Sequence, residues 1–394
     1  HPSFEVVGAA DAEMAKPSSG RGSLECNATY EANIGIEPVD CDLGQIEPKE
    51  LRSRMGIGKN DDITVLCSCA PCTGFSRTNP ENHLEDDPRN ALVPRSALFV
   101  KEFEPDIFLM ENARELLQGN QTHHYDNLRY RLEEDYEVRG EIHMLNHFGL
   151  PQQRERALVI AVRRDSNMEL RTLGDLWEDY EVREEATHVR DAISHLPTLE
   201  AGETDPDDPM HTAPGMTKRV YKRMDYIPRD GGSWTDIVNE PEALEYLTKS
   251  MRRKAKNDNL GSHPDVYGRM EWDEPAPTIK RECAHIGNGR YSHPEQTRLC
   301  SLREMAILQG FPRDYTFEAN GLSNKYRHAG DAVPPLISFQ IAWVCDWMLS
   351  EEKPGMESVV LPSTSLTPED LQQKISTTRE ADGDVEAEQI SLSL

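Results

Sequence analysis

Short apolar runs separated by charged, amphipathic stretches fill the first 165 residues. Phe4 to Ala10, Ile63 to Leu66, Asp106 to Met110 and Ala157 to Val162 each read as a buried strand. Helical stretches lie between them, for example around Arg95 to Glu104. This alternation predicts an α/β fold with a parallel sheet covered on both faces. Such sheets bind ligands beyond the carboxyl ends of their strands, so the polar residues that follow each run are the ones to inspect.

From about Asp165 to Gly261 the texture changes. Charges, Pro and Gly are dense, as in Glu203 to Pro209 and Arg229 to Trp234, and no period stands out. This predicts a smaller, irregular second domain. A helical pattern returns at Ser301 to Gln309 and stops at Gly310-Phe311-Pro312. Asp331 to Leu349 reads as a last amphipathic helix opened by Pro334-Pro335. The expected division is 1–165, 166–264, 265–350 returning to the first domain, and an acidic tail at 351–394. The tail has little apolar content and is predicted to be disordered, apart from a short helix at Pro368 to Ser376.

Charge complicates the picture. The chain has 70 Asp plus Glu against 43 Lys plus Arg, a formal net charge of -27, and 30 of the 43 cations are Arg. Taken alone, that argues against a nucleic-acid partner, because phosphate contacts call for a cationic surface. The preferred reading is an acidic surface adapted to high salt, as in a halophile, with any nucleic acid met by a few local Arg and Lys. The expectations also include a cytoplasmic protein with no membrane partner, since no stretch approaches the roughly 20 apolar residues of a membrane helix and no leader pattern precedes His1.

Three of the eight cysteines crowd into Cys67-Ser-Cys69-Ala-Pro-Cys72, directly after a predicted strand. Read alone, Cys72 is as readily a small buried hydrophobe as a nucleophile. Cys69-Ala-Pro-Cys72 also has redox spacing. A zinc site from the three thiols has no evident fourth ligand, and no metal is expected. Glu111-Asn112 follows the next strand and could supply a carboxylate to the same site or cap a helix. Gln152-Gln153-Arg154-Glu155-Arg156 leads into another strand, and its two Arg, at alternating positions, share a face.

The order and joint spacing of these elements resemble the cytosine-5 DNA methyltransferase family. The likeness continues through Ser301 to Pro312 and His328-Ala-Gly-Asp331-Ala332-Val-Pro-Pro335, covering about residues 4–165 and 265–347. It implies a Rossmann-like sheet with a target-recognition domain at 166–264, S-adenosylmethionine as cofactor and double-stranded DNA as partner. A cognate restriction endonuclease is a further partner that the sequence leaves open, and a monomer is expected. By resemblance Cys72 attacks C6 of a flipped-out cytosine, Glu111 contacts N3 and the exocyclic amine, and Asn112 orients the Pro-Cys loop. Arg156 supports the substrate beside the nucleophile, with Arg154 in a lesser role. Asp11, or alternatively Glu13, would bind the ribose hydroxyls and Asp42 the adenine amine. Pro71 and the backbone at Leu92 would line the adenine pocket, while Asp331 and Ala332 would touch the cofactor. Lys218 to Arg223 and Arg229 to Trp234 are candidate DNA contacts.

The chain departs from the family pattern in three places. The opening Phe-x-Gly-x-Gly-Gly loop is absent, so an N-terminally truncated sequence is expected. The stretch Met14 to Leu24 is longer than usual and lacks an aromatic residue. Asp331 stands where the family has Asn. A transfer-RNA methyltransferase with the same chemistry and a non-catalytic DNA-binding relative are the competing readings.

Overall fold

The computed structural model describes residues 1–14, 23–71, 86–257 and 265–374. Two short parallel strands, β1 (Ala10–Asp11) and β2 (Val39–Asp40), flank helix α1 (Cys26–Ile34). The expected strand from Phe4 shrinks to its last residue and Asp11. After α2 (Pro48–Arg54) comes β3 (Val65–Ser68), then α3 (Leu92–Phe103), β4 (Ile107–Ala113), α4 (His123–Leu132) and β5 (Tyr136–Met144). The two-residue β6 (Gln152–Gln153) precedes β7 (Glu155–Arg163).

The main sheet runs in the order β3-β4-β7-β5. β3 and β4 are parallel, but β7 inserts antiparallel to both β4 and β5. This corrects the expectation of a parallel sheet. Apolar runs record that both faces are buried, and they carry no sign of strand direction.

Alternation fixes which residues face which layer. Phe108, Met110, Ala157, Val159 and Ala161 pack under Val93, Ala97 and Val100 of α3 and Leu128 and Leu132 of α4. Ile107, Leu158, Ile160 and Val162 point to the opposite face. There they meet α5 (Leu173–Leu176), Trp177, and Ile337, Ile341 and Val344 of the last helix. Residues 170–177 thus pack on the sheet rather than apart from it.

The remaining elements are β8 (Tyr180–Val182), α6 (Val189–Ile193), α7 (Lys218–Tyr226), α8 (Lys249–Lys256), β9 (Ala276–Pro277), α9 (Leu302–Leu308), α10 (Leu322–Asp331) and α11 (Pro335–Ser350). The expected last helix is therefore two, broken before the Pro pair. A second core joins α6, Met270, Trp272, Ile279 and Tyr291 to α9 and α10. A third gathers Met224, Ile227, Trp234, Ile237, Leu247 and Met251 around α7 and α8. Arg269, fully buried between these cores, donates to the carbonyls of Met224, Ile227, His293 and Gln296. Residues 265–300 accordingly pack with both neighbours.

The stretch 322–350 is long and apolar enough, by length and composition, to cross a membrane, which the sequence reading had not anticipated. Its apolar side chains Ile337, Ile341, Val344 and Met348 belong to the sheet's core.

The tail corrects another expectation. Up to Lys374 it is structured: Val359, Val360 and Leu366 are buried, and β10 (Leu371–Gln373) pairs antiparallel with β8. The helix expected at 368–376 is a single 3-10 turn, Pro368–Asp370, that runs into this strand. Residues 375–376 and the rest of the tail lie outside the described residues.

Candidate active site

β3 ends in Cys69-Ala70-Pro71, and Pro71 is exposed. Cys72, the expected nucleophile, lies outside the described residues, but the stem that carries it does not. Asn112, fully buried at the end of β4, donates from Nδ2 to the carbonyl of Ala70 at 2.9 Å. Its Oδ1 accepts from the amide of Ala113 at 2.8 Å. With both ends engaged, the amide fixes the backbone two residues before Cys72.

Glu111 and Arg156 meet on the opposite face of the same strands. The register pairs Glu111 with Leu158 and Ala113 with Arg156, so the two side chains are diagonal neighbours within reach of each other. Arg156 Nε lies 2.7 Å from Glu111 Oε1, both side chains being about 15% exposed or less. That oxygen makes no hydrogen bond of good geometry, so the carboxylate is held by charge and retains capacity for a further donor.

Arg154 does something different from Arg156. It is buried, and its Nη1 donates to Ile279 O at 2.9 Å while Nη2 reaches Ala332 O at 3.4 Å. Gln152, also buried, donates to Gln309 Oε1 at 2.6 Å and accepts from the amide of Ile279 at 2.9 Å. Gln309 in turn donates to Ala332 O at 2.9 Å. Sequence reasoning did not assign Gln152 or Gln309 a part, although both sit in the motifs that carried the resemblance. The carbonyl of Ala332 is thus committed to this network.

Asp331 faces Arg281, whose Nε lies 2.8 and 2.6 Å from its two carboxylate oxygens. The surrounding protein pushes the Asp331 carboxyl up, opposed by Arg281, yet a third of its side chain still reaches solvent. The negative charge that distinguishes Asp331 from the family's Asn therefore has a counterion of its own.

The remaining acidic candidates gather at the ends of β1 and β2, where register sets Asp11 opposite Asp40. Asp11 Oδ1 accepts from the Glu13 amide and the Cys26 thiol. Burial first, then Asp11 and Glu13, push that thiol far up, so it stays protonated. Glu13 accepts from the Asn27 amide and the Ser23 hydroxyl, acting as a cap on α1. Of the two, Asp11 is the freer, since its Oδ2 has no partner among the described residues. Asp42 accepts from the amide of Gly44. A Cβ on Gly44 would sit 3.0 Å from Asp42 Oδ1 and 3.6 Å from Leu92 Cδ2, so the three share one spot.

Cys67, midway along β3, opens to solvent, and the dense protein around it pushes its thiol up to about 11. A protonated thiol is a poor metal ligand. Among the described residues, Asp86, His123 and His124 form one group with ligand-like spacing. Asp86 Oδ1 lies 2.8 Å from His124 Nε2 and accepts from Asn90, clipping residue 86 to α4.

The candidate DNA contacts divide. Trp234 is buried, and Arg229 donates to Glu295 O and Thr297 Oγ1. Lys218, Arg219, Tyr221 and Lys222, with Tyr246, line a cleft of about 560 Å³.

Known proteins resemble this chain. A Type II methylase of Herpetosiphon aurantiacus, M.HgiDII, is 32% identical over 322 residues, covering 80% of this chain and 84% of the relative. A Type II methyltransferase of Haemophilus parahaemolyticus, M1.HphI, is 30% identical, covering 80% and 76%. A crystal structure described as a prophage-encoded DNA modification methyltransferase from E. coli superposes with a TM-score of 0.52 at 18% identity, covering 82% of this chain and 90% of that one, a likeness of fold. Residues 9–346 match the family of C-5 cytosine-specific DNA methylases, and the chain belongs to that family.

Proposed function

We propose that this chain methylates C5 of cytosine in double-stranded DNA with S-adenosylmethionine as donor and Cys72 as nucleophile. The observation that carries the reading is the anchoring of Ala70 by Asn112, with Glu111 and Arg156 paired on the neighbouring residues. Three segments far apart in sequence thereby meet around Ala70 and the end of β4.

Cytosine C5 is unreactive until a thiolate adds at C6, so the Cys72 sulfur forms that bond and the ring electrons shift toward C5 and N3. Glu111, steadied by Arg156, meets N3 and the exocyclic amine and stabilises the ring as charge develops. Bound S-adenosylmethionine supplies a methyl group on cationic sulfur to the activated C5. Loss of the C5 proton then restores the C5–C6 double bond and expels the Cys72 thiolate. A base inside a duplex is beyond reach of this thiol, so it must be flipped out, at a cost of a few kcal/mol. Within 166–264 the proposed recognition unit is the part around α7 and α8, which has a core of its own, whereas residues 170–177 join the sheet's core.

The acceptors fit the cofactor's donors. Asp11 Oδ2 is open to ribose hydroxyls, and Asp42 beside Leu92 is open to an amine at the edge of a flat ring. Asp331 is matched to Arg281, so it need not repel the cofactor's carboxylate. The likeness to Type II methylases supports a cognate restriction endonuclease as the biological counterpart.

Denaturing-gel trapping on duplex DNA containing 5-fluorocytosine, with S-adenosylmethionine at high salt, tests this. Fluorine cannot leave as a proton does, so a covalent adduct should accumulate and vanish in Cys72→Ser. A folded chain that forms no adduct on DNA, but does on transfer RNA, would replace the substrate.

A further inference from the structure

The most cationic element of this acidic chain takes no part in the chemistry above. α8 carries Lys249, Arg252, Arg253, Lys254 and Lys256 and no acidic residue, in a chain of net charge -27. Lys249, Arg252, Arg253 and Lys256 stand at i, i+3, i+4 and i+7 and are all exposed, so they form a stripe along one face. The opposite face seats Met251 in the apolar core of the recognition segment. Thr248 caps the helix by accepting from the amide of Met251.

Among the described residues, none of the five cations is in an ion pair, although the chain has carboxylates in abundance. Like charges three and four residues apart repel by a few tenths of a kcal/mol per pair. Lys249 in the first turn also opposes the helix dipole. The stripe therefore works against the helix that displays it, which points to an external polyanion as the compensating partner.

α7, the more evident candidate, is occupied differently. Arg219 donates to Leu247 O and Glu245 O, and Arg223 to Tyr246 O, all just ahead of α8. Lys222 lies 3.8 Å from Asp225. The arginines of α7 thus tether α8 to the recognition core and leave α8 to present the charge.

We propose that the stripe Lys249, Arg252, Arg253 and Lys256 grips the phosphate backbone of the duplex, holding it against the recognition segment without reading its sequence. This rests on the reading of the chain as a DNA-directed enzyme. The spacing suits it, since the stripe spans about 10 Å of helix and a DNA strand offers one phosphate per about 3.4 Å of axis. It also accounts for how so acidic a protein approaches DNA at all.

The test is duplex binding by the full chain at several salt concentrations, comparing wild type with K249Q/R252Q/R253Q/K256Q. Each neutralised phosphate adds about 0.9 to the slope of log affinity against log salt. With one phosphate per cation, the quadruple variant should therefore lose about 3.6 units of slope, weaken binding equally on target and non-target duplexes, and melt at or slightly above the wild-type temperature. The charge-conserving R252K/R253K should retain the wild-type slope. A quadruple variant that binds with an unchanged slope would overturn the role of α8 and leave the enzyme reading standing. A wild-type chain that binds no duplex at any salt would overturn both.

Discussion

Asn112 on β4 holds the carbonyl of Ala70, 42 positions earlier in the chain, with a hydrogen bond of 2.9 Å. That bond ties β4 to the backbone two residues before Cys72. Asn112→Ala leaves the Ala70 carbonyl without its donor at a buried site, a loss of about 1–3 kcal/mol. Asn112→Asp turns an acceptor toward that carbonyl and should be worse. Both should lower kcat/KM more than they lower affinity for DNA, and a variant with wild-type kcat/KM would remove Asn112 from the positioning role.

Glu111→Gln keeps the volume of the side chain and removes its charge. Single-turnover methylation should slow by about 100-fold or more, with DNA affinity little changed. Arg156→Lys should fall between wild type and Arg156→Ala, because a single ammonium recovers the charge and not the planar fork. A Glu111→Gln enzyme within a few-fold of wild type would sink the assignment.

Acid should erode stability over two pH windows, each set by one of two neighbouring groups. Burial lowers the His293 imidazole to about 4 from an ordinary 6.5. Its pKa is depressed, so its contribution is whole above about pH 6.5 and is lost as pH falls toward 4. Burial alone would raise the Glu304 carboxyl, but hydrogen bonds from Arg298 outweigh it and hold the group at about 2 against an ordinary 4.5. That contribution is whole above about pH 4.5 and is lost as pH falls toward 2. His293→Gln should flatten the upper stage of the stability–pH curve. Glu304→Gln should cost about 3–5 kcal/mol by leaving Arg298 buried and uncompensated. A stability–pH curve between about pH 4 and 6.5 unaffected by His293→Gln would contradict this.

Gly330 approaches the backbone of the preceding segment closely. A Cβ there would lie 2.3 Å from the carbonyl oxygen of Lys280, which cannot move aside like a side chain. Gly330→Ala should destabilise by about 1–3 kcal/mol or more, whereas Gly321→Ala, with nothing within 4 Å, should be mild. Equal melting temperatures for the two would argue against so tight an approach.

Residues 351–374 should matter for stability although they lie beyond the motifs that carried the resemblance. Leu366 is 2% exposed and packs over Gly149, whose φ is +89°. Leu366→Ala should cost about 2–5 kcal/mol, read from chemical denaturation, and ending the chain at Ser350 should cost more. Wild-type stability after truncation would show the tail to be an appendage.

The placement of Asn112 and Glu111 could be read from residue order, because both directly follow an apolar run whose burial is plain in the sequence. The antiparallel entry of β7 was not legible, since Ala157 to Val162 is apolar throughout and would look the same in either direction. Spacing alone put Arg154 and Arg156 on one face, and only the resemblance gave Arg156 the larger role. One meets carbonyls from residues 279 and 332 and the other a carboxylate on its own sheet, a difference that only long-range packing decides. The tail misled because Val359, Val360, Leu366 and Leu371 are too few and too irregularly spaced to show a period. α8 was overlooked for the opposite reason, its charge being submerged in the acidic total.

The bonds from Arg154 to Ile279 and Ala332 cross 125 and 178 positions of the chain. A nascent polypeptide leaving the ribosome presents this guanidinium long before its acceptors have been synthesised. The sheet's strands can associate early, but the place of Arg154 within them is completed only once the segment around Ala332 has emerged. Closure of the molecule is therefore a late event, governed by contacts distant in sequence, and such contacts form slowly. Until then the segment between Arg154 and Ile279 is an unclosed loop, and the chain is most exposed to misassembly in the interval between making its strands and making their lock.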